Sequence, residues 1–168
     1  MEYAAGVAIV KTIGIDVTIQ CVKAVSCTAQ GIYGLLRNIG SIDTGGAVSK
    51  YMREADIECQ VQLLESVVSA IDVNRHHTEP LSLCIKDLRS CLDQIEKILR
   101  EFQTRIDFNR SIWLFSSLRS YGFSDLHDEL KLHTRHLADR SSRLFDIIKI
   151  NGYLNAMEPE EPELIKLI

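Results

Sequence analysis

Proline is scarce in this 168-residue sequence. Of three prolines, Pro159 and Pro162 lie near the end, so Pro80 alone stands in the body. With only nine glycines besides, little in the first 150 residues breaks a helix. A basic excess is also missing. The formal net charge is −4, whereas a nucleic-acid binder carries a positive balance or a dense basic face, so no direct contact with nucleic acid is expected. The five cysteines, an odd number, form no CxxC pair. Cys21, Cys27, Cys59, Cys84 and Cys91 therefore read as small apolar side chains in a reducing compartment, the cytoplasm, rather than as a disulfide framework.

Long uninterrupted apolar runs are absent too. Residues 3–36 are largely apolar, but Lys11, Asp16 and Lys23 break them up, well short of the roughly 20 bare residues of a spanning helix. No small-residue cleavage pattern follows a short apolar core, so a signal peptide is not expected. Contact with a membrane surface stays open as an alternative. The catalytic signatures are missing as well. There is no G-x-S-x-G, P-loop, H-E-x-x-H or paired-glycine fingerprint, and Gly31-Ile-Tyr-Gly34 suits close helix packing better than a phosphate cradle. No enzyme activity and no cofactor are expected.

What is present is helical patterning. Hydrophobic residues make up 46% and charged residues 25%, a globular balance at the length of one domain. The expected fold is all-α: an antiparallel bundle of about four long helices over residues 1–152, then an extended C-terminal tail over 153–168. The first helix covers about 3–39, as one helix or two. Val10, Ile13, Val17, Cys21 and Ala24 form one stripe, and Ile15, Ile19, Val22, Ser26 and Ala29 a second. A helix apolar on several sides belongs at the centre of a bundle or against a partner. Because Ile13, Ile15, Val17 and Ile19 alternate, a β-hairpin is the competing reading.

Gly40–Gly46 reads as a loop. The second helix, about 46–73, carries Val48, Met52, Ala55, Cys59, Leu63 (with Leu64), Val67 and Ile71 at helical spacing. In the third, Thr78 is the expected N-cap, with Glu79 and Pro80 in the first turn. Its stripe of Leu81, Cys84, Leu88, Cys91, Leu92, Ile95, Leu99, Phe102 and Ile106 is close to a heptad seam, and the helix is expected to run on toward Leu118. Ser124 caps the fourth, about 124–150, whose inner stripe is Leu126, Leu130, His133, Leu137, Leu144 and Ile148. Asn151 and Gly152 are expected to stop it.

Candidate sites are few. His133 and His136 share a face with Glu129 one turn earlier, yet no Glu-x-x-His pair of a carboxylate-bridged bundle site is present. His76 and His77 sit together in a polar connection. Cys84 and Cys91 lie two turns apart, on the order of 10 Å, too far to bridge, and a zinc ion would need two ligands from elsewhere. No metal site is expected. The basic residues Arg135, Arg140, Arg143 and Lys149 alternate with Glu129, Asp139 and Asp146, the pattern of a solvated face.

The tail is the most informative stretch. Its Pro/Glu spacer, Glu158 to Glu163, cannot form a core, and Leu164-Ile165-Lys166-Leu167-Ile168 follows. An aliphatic end behind an acidic spacer suits a docking peptide, so Leu164, Ile165, Leu167 and Ile168 are the candidate partner-binding residues. Whether they dock on another subunit or fold back on their own bundle stays open.

Two family resemblances follow from these helices. The succession E54-ADIECQVQLLESVV-S69, then L81-SLCIKDLRSCLDQIEKILREFQTR-I106 and the fourth helix, resembles small helical proteins of large double-stranded DNA viruses, some of them minor capsid components. That resemblance implies a structural, non-enzymatic role with incorporation in a virion, and assigns no functional residue. The four-helix domains of the HeLo and MLKL type are also similar, with an apolar first helix and a brace-like last one, although only Lys11, Lys23 and Arg37 are basic in the first helix here. The leading expectation is a non-enzymatic assembly protein whose partners, other protein subunits, bind through the tail and the N-terminal helix. A membrane-engaging bundle is the alternative, and a metal-dependent enzyme in the bundle core comes third.

Overall fold

The structure is a computed structural model that describes residues 2–42, 47–73, 77–111 and 122–157, with side chains over 14–42, 48–73, 77–110 and 122–152. Five helices account for nearly all of this: α1 (Glu2–Ile42), α2 (Ala47–Ala55), α3 (Ile57–Ser69), α4 (Glu79–Ser111) and α5 (Ser124–Met157). Among the described residues there is no strand. None of these helices is long and apolar enough to cross a membrane.

The hairpin reading of the N-terminal segment is thus overturned, since α1 is one helix of 41 residues. Its buried face also differs from the stripes expected. Thr18, Cys21, Val25, Ala29, Ile32, Leu35 and Ile39 are buried, while Val17 is 39% exposed. The reason lies in the polar residues. Asp16, Lys23, Gln30 and Arg37 recur every seven positions, so they share one face, and all four are exposed. Keeping that face in water turns Val17 outward and brings the 18–25–32–39 seam inward. Thr18 is tolerated inside because its hydroxyl donates to the Gly14 carbonyl at 2.9 Å. α1 therefore forms one side of the bundle, not its centre.

The second expected helix is broken in two. Asp56 adopts φ 55°, ψ 32°, the left-handed region, without a side-chain cap bond. The break resets the helical phase. Val48 and Ala55 are buried in α2, but α3 buries Ile57, Val61, Leu64 and Val68. Continuing the α2 stripe would have buried Cys59 and Leu63; instead Cys59 is exposed and Leu63 is 54% exposed. The α3 seam buries Ile57, Leu64 and two valines, which offsets the roughly 1–2 kcal/mol cost of one left-handed non-glycine residue. Short Ala70 N–H to Val67 and Ile71 N–H to Val68 bonds, both 3.2 Å, close α3.

The third helix follows expectation in its stripe. Leu81, Leu88, Cys91, Leu92, Ile95, Leu99, Phe102 and Ile106 are buried, joined by Ile85 and Ile98, while Cys84 is only half-buried. Thr78 caps α4, its Oγ1 accepting from the Leu81 N–H at 3.4 Å. The expected run toward Leu118 lies beyond Ser111, outside the described residues. In α5 the first helical bond runs from the His127 N–H to the Phe123 carbonyl, so Phe123 takes the cap position expected of Ser124. Phe123 is buried and stacks on Phe102, ring centroids 5.7 Å apart, and this packing fixes where the helix starts. On the inner stripe His133 and Ile148 are half-buried while Thr134 is buried. The expected stop at Asn151-Gly152 does not occur, and α5 continues to Met157. Asn151 is buried and its Nδ2 donates to Thr78 Oγ1 at 3.4 Å, so the residue expected to break the helix instead ties it to the cap of α4.

The helices close into a four-membered ring. α1 packs along α4, α4 along α5, α5 against α2 and α3, and these return to α1. Elements joined in sequence alternate in direction, an up-down-up-down chain. Space order differs from chain order, however. Gly31 of α1 faces Glu96 of α4, and Gly14 faces His77 just before α4, so α1 and α4 run parallel. Val73, where the described stretch after α3 ends, is buried.

Candidate functional site

A hollow opens beside the break at Asp56. It encloses about 430 Å³ between the last turns of α1 and the outer sides of α2 and α3. Leu36, Ile39, Met52 and Ile57 make its apolar floor, and Arg53, Asp56 and Glu58 stand among its polar lining. Each is placed by the kink. The left-handed turn at Asp56 changes the helical phase between α2 and α3, and the lining residues come from both sides of it. Gly40 opens the upper wall, since a Cβ there would meet no atom within 4 Å. Cys59 lines the hollow as an exposed thiol.

On the opposite side of the kink, Glu54, Asp56 and Gln60 share a smaller recess with Lys131, Thr134, Arg135 and Ala138 of α5. Its neighbour is a clasp between α2 and α5. His127, 9% exposed, stacks on Tyr51 with ring centroids 4.4 Å apart and puts Nε2 3.3 Å from Glu54 Oε2. The contact is close but not aligned as a hydrogen bond, so the ring stacking is what joins the two helices here. Glu54 is shared with Lys50 at 3.7 Å. This clasp fixes α2 on α5 and leaves the larger hollow open on the α1 side.

At the start of α5, Arg105 reaches across the turn to Asp125 at 3.1 Å and to the Gly122 carbonyl. The Arg105 hydrogen bond holds the Asp125 carboxyl below its usual range, and the Asp125 hydrogen bond raises Arg105. Gly122 has φ 107°, a conformation that glycine adopts without strain. The clamp is structural: it orients the turn that starts α5.

The histidine and cysteine candidates resolve into packing. His133 and His136 meet edge-on, centroids 6.0 Å apart. Burial first, and then the neighbouring His136, lower the His133 pKa. Cys84 and Cys91 donate to the carbonyls of Arg140 and His133, at 3.7 and 3.3 Å. Burial raises both thiols, as suits neutral S–H donors rather than metal-binding thiolates. Among the described residues, no three His, Cys, Asp or Glu side chains converge as metal ligands. Leu164, Ile165, Leu167 and Ile168, the candidate partner-binding residues, lie outside the described residues, as does His76.

The hollow escaped the sequence reading because it depends on Asp56, a residue that marks no break by type. A signal was nonetheless there: Val48, Met52 and Ala55 are out of phase with Ile57, Val61, Leu64 and Val68, and one straight helix cannot bury both sets. The chain matches no family model, no curated protein and no solved structure.

Proposed function

We propose that this chain is a non-enzymatic structural or assembly protein that works through contacts with other protein subunits. One observation carries the reading: both terminal helices overrun the bundle at the same end. The base is marked by Gly14 against His77 and by Asn151 against Thr78. α1 begins at Glu2 and α5 ends at Met157, so each continues past that level, α1 by about 18 Å at 1.5 Å per residue. The overrunning part of α1 has the sequence Tyr3-Ala-Ala-Gly-Val-Ala-Ile-Val10, which favours burial against something beyond the four-helix core. The tail with its aliphatic end follows α5 from the same end.

The setting implied by the sequence resemblance is a minor capsid component of a large double-stranded DNA virus, and we propose it as the place of assembly. The test is to purify the native particle or complex that holds the protein and cross-link it before mass spectrometry. Cross-links from Lys11 and Lys166 to other subunits are the expected result. A native protein that purifies alone, with no intersubunit cross-link, overturns the proposal. Salt-resistant co-flotation of the full chain with anionic liposomes would instead support a membrane-engaging bundle.

A further inference from the structure

We infer that the hollow beside Asp56 is the receptor for the aliphatic tail, residues 164–168, of a second copy of this chain. The inference rests on the assembly reading above and names the partner and the site. Its basis is chemical fit and reach.

The fit is specific. The floor of Leu36, Ile39, Met52 and Ile57 is aliphatic, and about 430 Å³ suits a few aliphatic side chains. Its polar lining carries two acids, Asp56 and Glu58, and one base, Arg53. The tail has the complementary pattern. Leu164-Ile165 and Leu167-Ile168 flank a single cation, Lys166, and Glu163 precedes them. With the aliphatic groups on the floor, Lys166 pairs with Asp56 and Glu58, and Glu163 with Arg53. Leu63, one turn beyond Cys59 on α3 and 54% exposed, extends the apolar surface along the line of entry.

Reach excludes the chain's own tail. Glu54 lies against His127, and the kink shares its smaller recess with Lys131–Ala138, so the hollow is level with that part of α5. Met157 is roughly 30–40 Å further along the helix axis. The hollow opens on the α1 side of α2 and α3, about one helix diameter, ~10 Å, farther from α5. From Met157 a fully extended chain reaches Leu164 within at most about 25 Å. Leu164 and Ile165 therefore fall short of their own hollow, so the whole 164–168 segment seats there only when it comes from another copy. A contact of unlike surfaces is head-to-tail, so it propagates into a ring or an open chain of subunits.

Complementation between two full-length variants tests this. Gly40→Phe fills the hollow where a side chain meets open space, and it removes a helical glycine, so folding is preserved. Ile165→Asp with Leu167→Asp disables the tail. The wild type should sediment as species of at least twice the 19.0 kDa chain, and each variant alone as a monomer. Their equimolar mixture should give a 1:1 dimer of twice the chain mass, because one supplies a tail and the other a hollow. A monomeric wild type, or a mixture that stays monomeric, overturns the inference. So does a Gly40→Phe variant that still self-assembles. If the wild type is monomeric while cross-links to other proteins persist in the native complex, the receptor assignment fails and the assembly reading stands.

Discussion

Ile95 lies midway along α4 and is 0% exposed, with Cys91, Leu92, Ile98 and Leu99 buried around it. Ile95→Ala removes three carbon atoms, a transfer loss of about 2.4 kcal/mol at ~0.8 kcal/mol per methylene. α4 is held on two sides, by α1 and α5, so the site cannot collapse freely and a cavity cost adds to the transfer loss. The expected destabilisation is about 3–4 kcal/mol, within the roughly 2–5 kcal/mol of such truncations. Urea unfolding should show a lower midpoint with an unchanged slope, and the melting temperature should fall by roughly 6–16 °C for a chain of this size. Leu63→Ala is the paired control. A straight second helix would bury Leu63, but α3 leaves it 54% exposed, so its truncation should cost no more than about 0.5 kcal/mol. A loss below about 1 kcal/mol at Ile95, or a loss at Leu63 of the size expected for Ile95, would refute this account of the core.

Three further outcomes are expected. Asp56→Gly should raise stability by about 0.5–1 kcal/mol in chemical denaturation, since glycine takes the left-handed conformation without the Cβ clash; a loss instead would mean that the aspartate side chain stabilises the kink. The His133 pKa is lowered from 6.5 in the folded chain, so the unfolded chain binds its proton first and stability falls as pH drops through and below that value; His133→Gln should flatten this part of the pH–stability curve, and an unaltered slope would assign it to other groups. With iodoacetamide under native conditions, Cys27 and Cys59, the exposed thiols, should be modified first and Cys21, Cys84 and Cys91 only on unfolding, as peptide mapping would show; early labelling of Cys91 would contradict its bond to the His133 carbonyl.

The sequence made α4 legible because its apolar residues follow one seven-residue repeat that no neighbour interrupts. α1 was legible as a helix but not in its orientation. Its apolar residues spread over two faces, and the decision rested with Asp16, Lys23, Gln30 and Arg37, whose spacing marks the wet side. Asp56 could not be read as a break, because aspartate is ordinary in the first or last turn of a helix and only the phase of its neighbours betrays it. Asn151-Gly152 misled in the other direction. The pair commonly ends helices, yet the partner of Asn151, Thr78, lies far away in sequence, and only the closed bundle brings them together. The hollow follows from the kink and was hidden with it.

The parallel pairing of α1 with α4 also bears on the order of events during synthesis. The residues that meet, such as Gly31 and Glu96, are separated by the whole of α2 and α3. At about 5–20 residues per second, α4 emerges from the ribosome on the order of several seconds after α1. Throughout that interval the seam of Val25, Ala29, Ile32 and Ile39 has only α2 and α3 to lean on. A nascent chain of this topology thus spends seconds as an incomplete bundle with one apolar flank open, the state in which exposed apolar surface favours aggregation.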